Sequence, residues 1–240
     1  MKISHFKLSM FLECPLRYKF YYIDELKEYC KPKPYHSMGI SIHSALEKFF
    51  CQEQRSLDIL HNLLRKNWVR EGYSSRNEER MWGLKALAML KDFYEGANVD
   101  INPAMLEAEF SVSFDSFTLT GRIDRVDKIE KGYEVIDYKT GAGMTRDEVD
   151  KDLQMTIYSI GFYHTHKVIP RKLTFHFLKD STKITTTRSE QDIENGVLFI
   201  KEIVEKMKDE TKFSPKPNRF CAYCDFTILC PSFQKNAYII

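Results

Sequence analysis

The chain has 240 residues, 43% hydrophobic and 29% charged, with a formal net charge of +2. This composition describes a folded protein with a sizeable core and excludes a disordered chain. No apolar run is long enough to span a membrane, and the N-terminal MKISHFKLSMFLE is too polar for a signal peptide, so a cytoplasmic protein with no membrane partner is expected. So balanced a charge leaves any nucleic-acid binding to a local basic surface.

The opening SHFKLSMFLECPLRYKFYYIDEL has helical spacing at Phe6 and Met10 and at Leu8 and Phe11, with Pro15 after Cys14. It predicts a short helix, a turn at Cys14-Pro15 and a second helix through Tyr22. Tyr18, Phe20, Tyr21 and Tyr22 are expected to pack in a core. Cys30 to Tyr35, with two prolines, reads as a loop. From Gly39, GISIHSALEKFFCQ predicts a helix that buries Ile42, Ala45, Leu46 and Phe49 and carries His43 and Glu47 on a neighbouring face. Two amphipathic helices, Leu57 to Glu71 and Glu78 to Gly96, are expected to form a helical cap over a cleft.

Pro103 to Phe114 alternates apolar and polar residues and begins a sheet; the spacing does not decide whether Glu107 or Glu109 reaches a metal. Thr145 to Glu148 has the form of a capping box that opens a helix through His164, on which Gln154 and Tyr158 share a face. Lys172 to Leu178 and Lys183 to Arg188 predict a strand pair, and Ser189 to Asp209 a long helix. The six cysteines, without a secretion signal, argue against a disulfide framework. Cys221, Cys224 and Cys230 form C-x2-C-x5-C, with Cys14 far upstream, and four thiolates at such spacing suit zinc or an iron–sulfur cluster. Cys30 and Cys51 fit no such pattern.

The richest stretch is GRIDRVDKIEKGYEVIDYKTG, from Gly121 to Gly141. Read as a hairpin, its second strand carries Asp137 and Lys139 on one face, because side chains alternate with period two. An even connection centred between Glu130 and Lys131 sets Asp124 opposite Asp137 on that face; a three-residue turn separates them. Facing carboxylates about 5 Å apart repel by roughly 3 kcal/mol at an effective dielectric of 20. A hard divalent cation, Mg²⁺ or Mn²⁺, answers that repulsion, and Lys139 beside it can orient water.

Taken in order, GISIH at His43, GRID at Asp124, IDYK at Asp137 to Lys139, Gln154-x3-Tyr158 and the cysteine knuckle resemble the RecB-like nucleases of the PD-(D/E)xK superfamily. Cys14 completes the arrangement of iron–sulfur members, such as the AddB nuclease domain and the CRISPR-associated RecB-like exonucleases. The resemblance runs from Cys14 to Cys230. It implies an α/β fold with a mixed central sheet flanked by helices, a restriction-endonuclease-like core, a helical cap and a C-terminal cluster-binding segment. As one domain over residues 1–240, this has a helical part at about 39–97, a nuclease core at about 103–188, and a C-terminal helix and knuckle at about 189–234 joined to Cys14.

The implied activity is metal-dependent DNA hydrolysis, as a single-strand exonuclease or end-processing nuclease in repair, recombination or CRISPR adaptation. His43, Asp124, Asp137 and the Tyr138 carbonyl would bind Mg²⁺ or Mn²⁺, and Lys139 would position the attacking water. Gln154 and Tyr158, with Arg122 and Arg125, would contact DNA, although one arginine could instead buttress the site. Cys14, Cys221, Cys224 and Cys230 would hold a [4Fe-4S] cluster, with zinc as the alternative, and clasp the ends of a long loop. A helicase or CRISPR adaptation protein would be the partner. The alternative function is a catalytically silent iron–sulfur DNA-binding subunit of a larger complex.

Overall fold

The computed structural model describes residues 1–234. Strand β1 (Lys2–Ile3) leads into helix α1 (His5–Glu13), whose N-terminus is capped by the Ser4 side chain. Helix α2 (Pro15–Tyr18) starts on a proline, where the missing amide hydrogen is harmless, and runs into a π-helical turn, Lys19–Ile23. Helix α3 (Pro34–Phe50) begins earlier than Gly39, because Pro34 likewise opens a helix rather than prolonging the preceding loop. Helices α4 (Leu57–Lys66) and α5 (Arg76–Gly96) start at serine caps, Ser56 and Ser75.

The strands are β2 (Met105–Ser113), β3 (Thr118–Ile129) and β4 (Gly132–Lys139). Thr145 and Glu148 form the expected capping box, but helix α6 (Arg146–Asp150) stops after little more than a turn. Asp152 then caps a separate helix, α7 (Leu153–His166), by accepting the Met155 amide. Strands β5 (Lys172–Phe177) and β6 (Thr182–Thr186) precede the long helix α8 (Glu190–Asp209). Two 3-10 turns, Arg219–Tyr223 and Thr227–Leu229, carry the cysteine knuckle ahead of α9 (Pro231–Gln234).

The sheet has the order β1-β3-β4-β5-β6, with β2 also paired to β3. Its β3–β4 and β5–β6 pairs are antiparallel, whereas β4–β5 is parallel, so the intervening helices supply the crossover a parallel pair needs. Strand β5 is buried from Leu173 to Phe177, as expected of a strand covered on both faces.

The chain divides into two compact units. One comprises Met1–Lys31, Ser113–Leu119 and the described residues from Asn195; in it β1 pairs in parallel with Thr118 and Leu119, and of the aromatics expected in a core Tyr18 is buried while Phe20, Tyr21 and Tyr22 stay half-buried. The Tyr18 ring is buried and stacks on Phe213, with centroids 6.4 Å apart, and Phe20 lies against Phe226 at 5.5 Å.

The other unit, Pro32–Val112 and Thr120–Glu194, contains the main core. Ile42, Leu46 and Phe49 of α3 meet Leu60 and Leu64 of α4, Leu90 and Phe93 of α5, and Tyr138 of β4. Burying each such side chain contributes on the order of 2 kcal/mol, which fixes α3 against the sheet and brings His43 to the strand ends. Across the sheet, the Phe110 ring lies between Gly121 of β3 and Gly161 of α7. A Cβ at either glycine would come within 2.4 or 2.5 Å of that ring, so the two glycines permit the close approach that sets the height of α7.

Candidate active site

The β3–β4 connection consists of Glu130 and Lys131 alone, since Ile129 pairs with Gly132. That is the even alternative. The ladder runs from there to Arg125 opposite Ile136, and continuing the register brings Asp124 level with Asp137. At this point a side chain replaces the ladder: the Asp124 Oδ2 accepts the Tyr138 amide at 2.8 Å. The same oxygen lies 3.3 Å from His43 Nδ1, so α3 and β3 are joined at the site.

Asp137 is 3% exposed. Its Oδ1 accepts both the Tyr158 hydroxyl at 2.9 Å and Gln154 Nε2 at 2.9 Å. Its buried Oδ2 lies 2.7 Å from Lys139 Nζ in an ion pair. Lys139 Nζ also donates to Gln154 Oε1 at 2.7 Å, and Gln154 Nε2 reaches Tyr158 at 2.8 Å. The four residues form a closed network. It requires β4 to present Asp137 and Lys139 on one face and α7 to present Gln154 and Tyr158 one turn apart.

Charge and burial compete here. Burial raises the Asp137 carboxyl above the usual carboxylate range and the Asp124 charge adds to this, against the pull of Lys139. Burial also drives the Tyr158 phenol well up, reinforced by the Asp137 charge, so the hydroxyl stays a donor. For His43, burial depresses the imidazolium, but the hydrogen bond and charge of Asp124, with Asp137 and Glu107, more than offset it and leave the group raised.

Glu107, which spacing could not select, belongs to this site. His43, Glu107 and Asp124 each offer a ligand atom within 4.8 Å of the others. Alternation fails to reveal Glu107 because its backbone is left-handed, with φ of 47°, which breaks the period-two pattern inside β2. Such strain is held only where surrounding structure enforces it, and here Arg122 Nε clasps Glu107 Oε2 at 2.6 Å. Burial and the charge of Asp124 raise the Glu107 carboxyl, against Arg122 and His43. One imidazole and two carboxylates suit a divalent cation such as Mn²⁺ or Mg²⁺, and Asp137 stands outside this 4.8 Å group.

Two residues expected at the DNA are buried. Arg125 is 5% exposed and lies on the face of β3 opposite Asp124, because adjacent residues of a strand point to opposite sides. It donates to both Asp127 oxygens at 2.7 Å, reaches the Tyr138 hydroxyl at 3.3 Å and packs over the Phe50 ring at 4.0 Å. Arg122 is exposed and lies beside Glu107. Tyr158 is 5% exposed and donates to Asp137 Oδ1.

In the other unit, Cys14, Cys221, Cys224 and Cys230 line one cavity, with Phe20 and Phe226 among its walls. The last carbonyls of α1 are tied to this segment: Lys216 Nζ donates to Leu12 O at 2.9 Å and Asn218 Nδ2 to Glu13 O at 3.0 Å. Burial raises the Cys224 thiol; the Phe226 amide and Arg17 oppose this, and Cys14 and Cys221 add to it. All six cysteines are free, and Cys30 and Cys51 are not among the residues lining this cavity. Among the described residues, no helix is long and apolar enough to cross a membrane.

Comparison with known proteins gives the family. A search of curated proteins found no match. A solved structure from Eubacterium rectale, provisionally named an exonuclease, is similar over 98% of this chain and 88% of its own, with a TM-score of 0.58 and 10% identity, which shows the fold. The structure of SSO0001 is similar over 96% of this chain and 86% of its own, at a TM-score of 0.46 and 15% identity. The description "PD-(D/E)XK nuclease superfamily" matches residues 2–231, and nucleases of that superfamily use divalent metals. Over nearly its whole length, then, the chain belongs to the PD-(D/E)XK nuclease superfamily.

Proposed function

We propose that the chain is a Mg²⁺- or Mn²⁺-dependent deoxyribonuclease that trims single-stranded DNA or single-stranded ends. The observation that carries this reading is the closed Asp137–Lys139–Gln154–Tyr158 network standing in register with the His43–Glu107–Asp124 group. His43, Glu107, Asp124 and Asp137, with the Tyr138 carbonyl, would hold the metal. Bound there, the metal supplies Lewis acidity toward a phosphoryl oxygen and lowers the pKa of water.

The protein's own groups do the positioning. Lys139 Nζ, fixed between Asp137 Oδ2 and Gln154 Oε1, offers its remaining donor to an attacking water or to charge growing on a non-bridging phosphate oxygen. Tyr158 and Gln154 hold the Asp137 carboxylate by its Oδ1, with Oδ2 against Lys139. Arg122, half engaged by Glu107, is placed to meet a backbone phosphate next to the scissile one.

The four-cysteine cavity supports a [4Fe-4S] cluster as the resident group of the other unit. Four thiolates suit either this cluster or zinc, and the resemblance to iron–sulfur members favours the cluster. The cytoplasm, a helicase and a CRISPR adaptation complex fit this reading as setting and partners.

The test is cleavage of single-stranded DNA labelled at either end, with anaerobically purified protein in Mg²⁺, Mn²⁺ or EDTA, beside Asp137→Ala. Metal-dependent degradation lost in the variant supports the reading, and the two labels give polarity. Wild type and variant that bind DNA equally and leave it intact would refute it in favour of a silent binding subunit.

A further inference from the structure

Away from the metal site but in the same unit, α4 and α5 enclose an open cavity of about 620 Å³. Its lining is unusual in charge. Arg65, Arg70, Arg76 and Arg80 surround it with one acidic residue, Glu79, while Leu64, Trp68 and Leu87 supply the apolar wall. All four arginines are exposed. Glu79 is already engaged, accepting Trp68 Nε1 at 3.2 Å and lying 3.6 Å from Arg70 NH1. Arg65 donates to Asn62, and Arg76 and Arg80 form no ion pair among the described residues.

Two features suggest that this cleft is held ready for a ligand. Trp68 is fixed in place: it stacks on Tyr73 with centroids 5.8 Å apart and planes inclined by 10°, and its indole N–H is tied to Glu79. Opposite it, α5 presents Gly83, where an added Cβ would be in ordinary contact with the indole at 3.9 Å, so the ring edge is seated against that helix. Arg76, moreover, is the first residue of α5, at the helix end where the macrodipole disfavours a cation. Helix stability does not account for an arginine there.

We infer that this arginine-rimmed, tryptophan-walled cleft is a docking site for single-stranded nucleic acid, taking phosphates on Arg65, Arg76 and Arg80 and a base against Trp68. The inference rests on the nuclease reading and adds to it a second contact, remote in sequence from the catalytic motifs, that grips the strand being trimmed. Guanidinium groups match phosphate geometry, and an aromatic wall stacks any base. An acidic peptide would satisfy the arginines but leave the indole unanswered.

The experiment measures binding of a fluorescein-labelled oligothymidylate by anisotropy, in EDTA, for wild type and Arg76→Ala/Arg80→Ala. Both side chains are exposed, and removing Arg76 relieves the dipole, so the variant should melt no lower than wild type. Losing two phosphate contacts should weaken binding roughly 20-fold at about 0.1 M salt and lower the slope of log affinity against log salt by about 1.4. In a Trp82→Phe background, which leaves Trp68 as the single tryptophan, oligothymidylate should quench the fluorescence.

Unchanged affinity and slope in the double variant, absent quenching, or equal competition by polyglutamate would overturn the proposal. Hydrolysis of bis(p-nitrophenyl) phosphate, which needs no strand docking, reads the metal site independently. If wild type hydrolyses this ester while the double variant binds oligothymidylate normally, the cleft proposal fails and the nuclease stands. If wild type hydrolyses nothing but loses oligothymidylate binding in the double variant, the cleft stands and the nuclease reading fails.

Discussion

Removing the carboxylate of Asp127 separates a buttress from a DNA contact. Arg125 and Asp127 side chains are each 6% exposed and share two hydrogen bonds of 2.7 Å, so neither charge is screened by water. In Asp127→Ala the guanidinium stays buried over Phe50 with only the neutral Tyr138 hydroxyl as hydrogen-bond partner. Breaking a buried pair in this way costs about 3–5 kcal/mol, whereas replacing both partners by apolar residues is often close to neutral. At roughly 3 °C per kcal/mol for a chain of this length, Asp127→Ala should melt on the order of 10 °C below wild type. Arg125→Met/Asp127→Leu should recover most of that loss. Urea titration followed by tryptophan fluorescence reports on this unit, since Trp68 and Trp82 both lie in it. A loss below about 1 kcal/mol in Asp127→Ala, or an Arg125→Met protein of normal stability with a reduced salt slope for DNA, would refute the buttress.

Further expectations concern the site, the core and the cysteines. Lys139→Ala should retain DNA binding while cleavage falls by about 10²–10³, the usual loss when one stabilising donor is removed; full activity under single-turnover conditions would take Lys139 out of the mechanism. His176 is 3% exposed, and burial, then Lys183 and Arg125, lower its pKa to about 4 from 6.5. Between those values the unfolded chain binds the proton and the folded one does not. Stability should therefore be flat above pH 6.5 and fall by about 3 kcal/mol in all as pH drops from 6.5 to 4. His176→Phe, which suits a site lined by Phe93 and Tyr138, should remove that contribution to the slope in denaturant titrations; an unchanged slope would contradict it. Cys221→Ser should lose the brown absorbance of anaerobically prepared protein and much of its folded yield, and a stable, equally brown variant would remove Cys221 from the ligand set.

What sequence alone determined is what short-range rules govern. Alternation put Asp137 and Lys139 on one face and the helical repeat put Gln154 and Tyr158 on another, while the length of the turn after Ile129, on which Asp124 facing Asp137 depends, was left to the structure. The same alternation already implied that Arg125 points away from Asp124, a consequence that adjacency in the chain conceals. Tertiary structure decided what depends on departures from those periods and on partners distant in the chain. Glu107 reaches His43 and Asp124 through a left-handed residue that no repeat signals, and Asp152 outcompetes the helix begun at Thr145 by capping a new one. Periodicity marks α4 and α5 only as amphipathic helices, and packing of the two on α3 is what brings Trp68 among their arginines. Local propensity fixes which way a side chain points along its own element; burial and close approach between elements decide what it meets there.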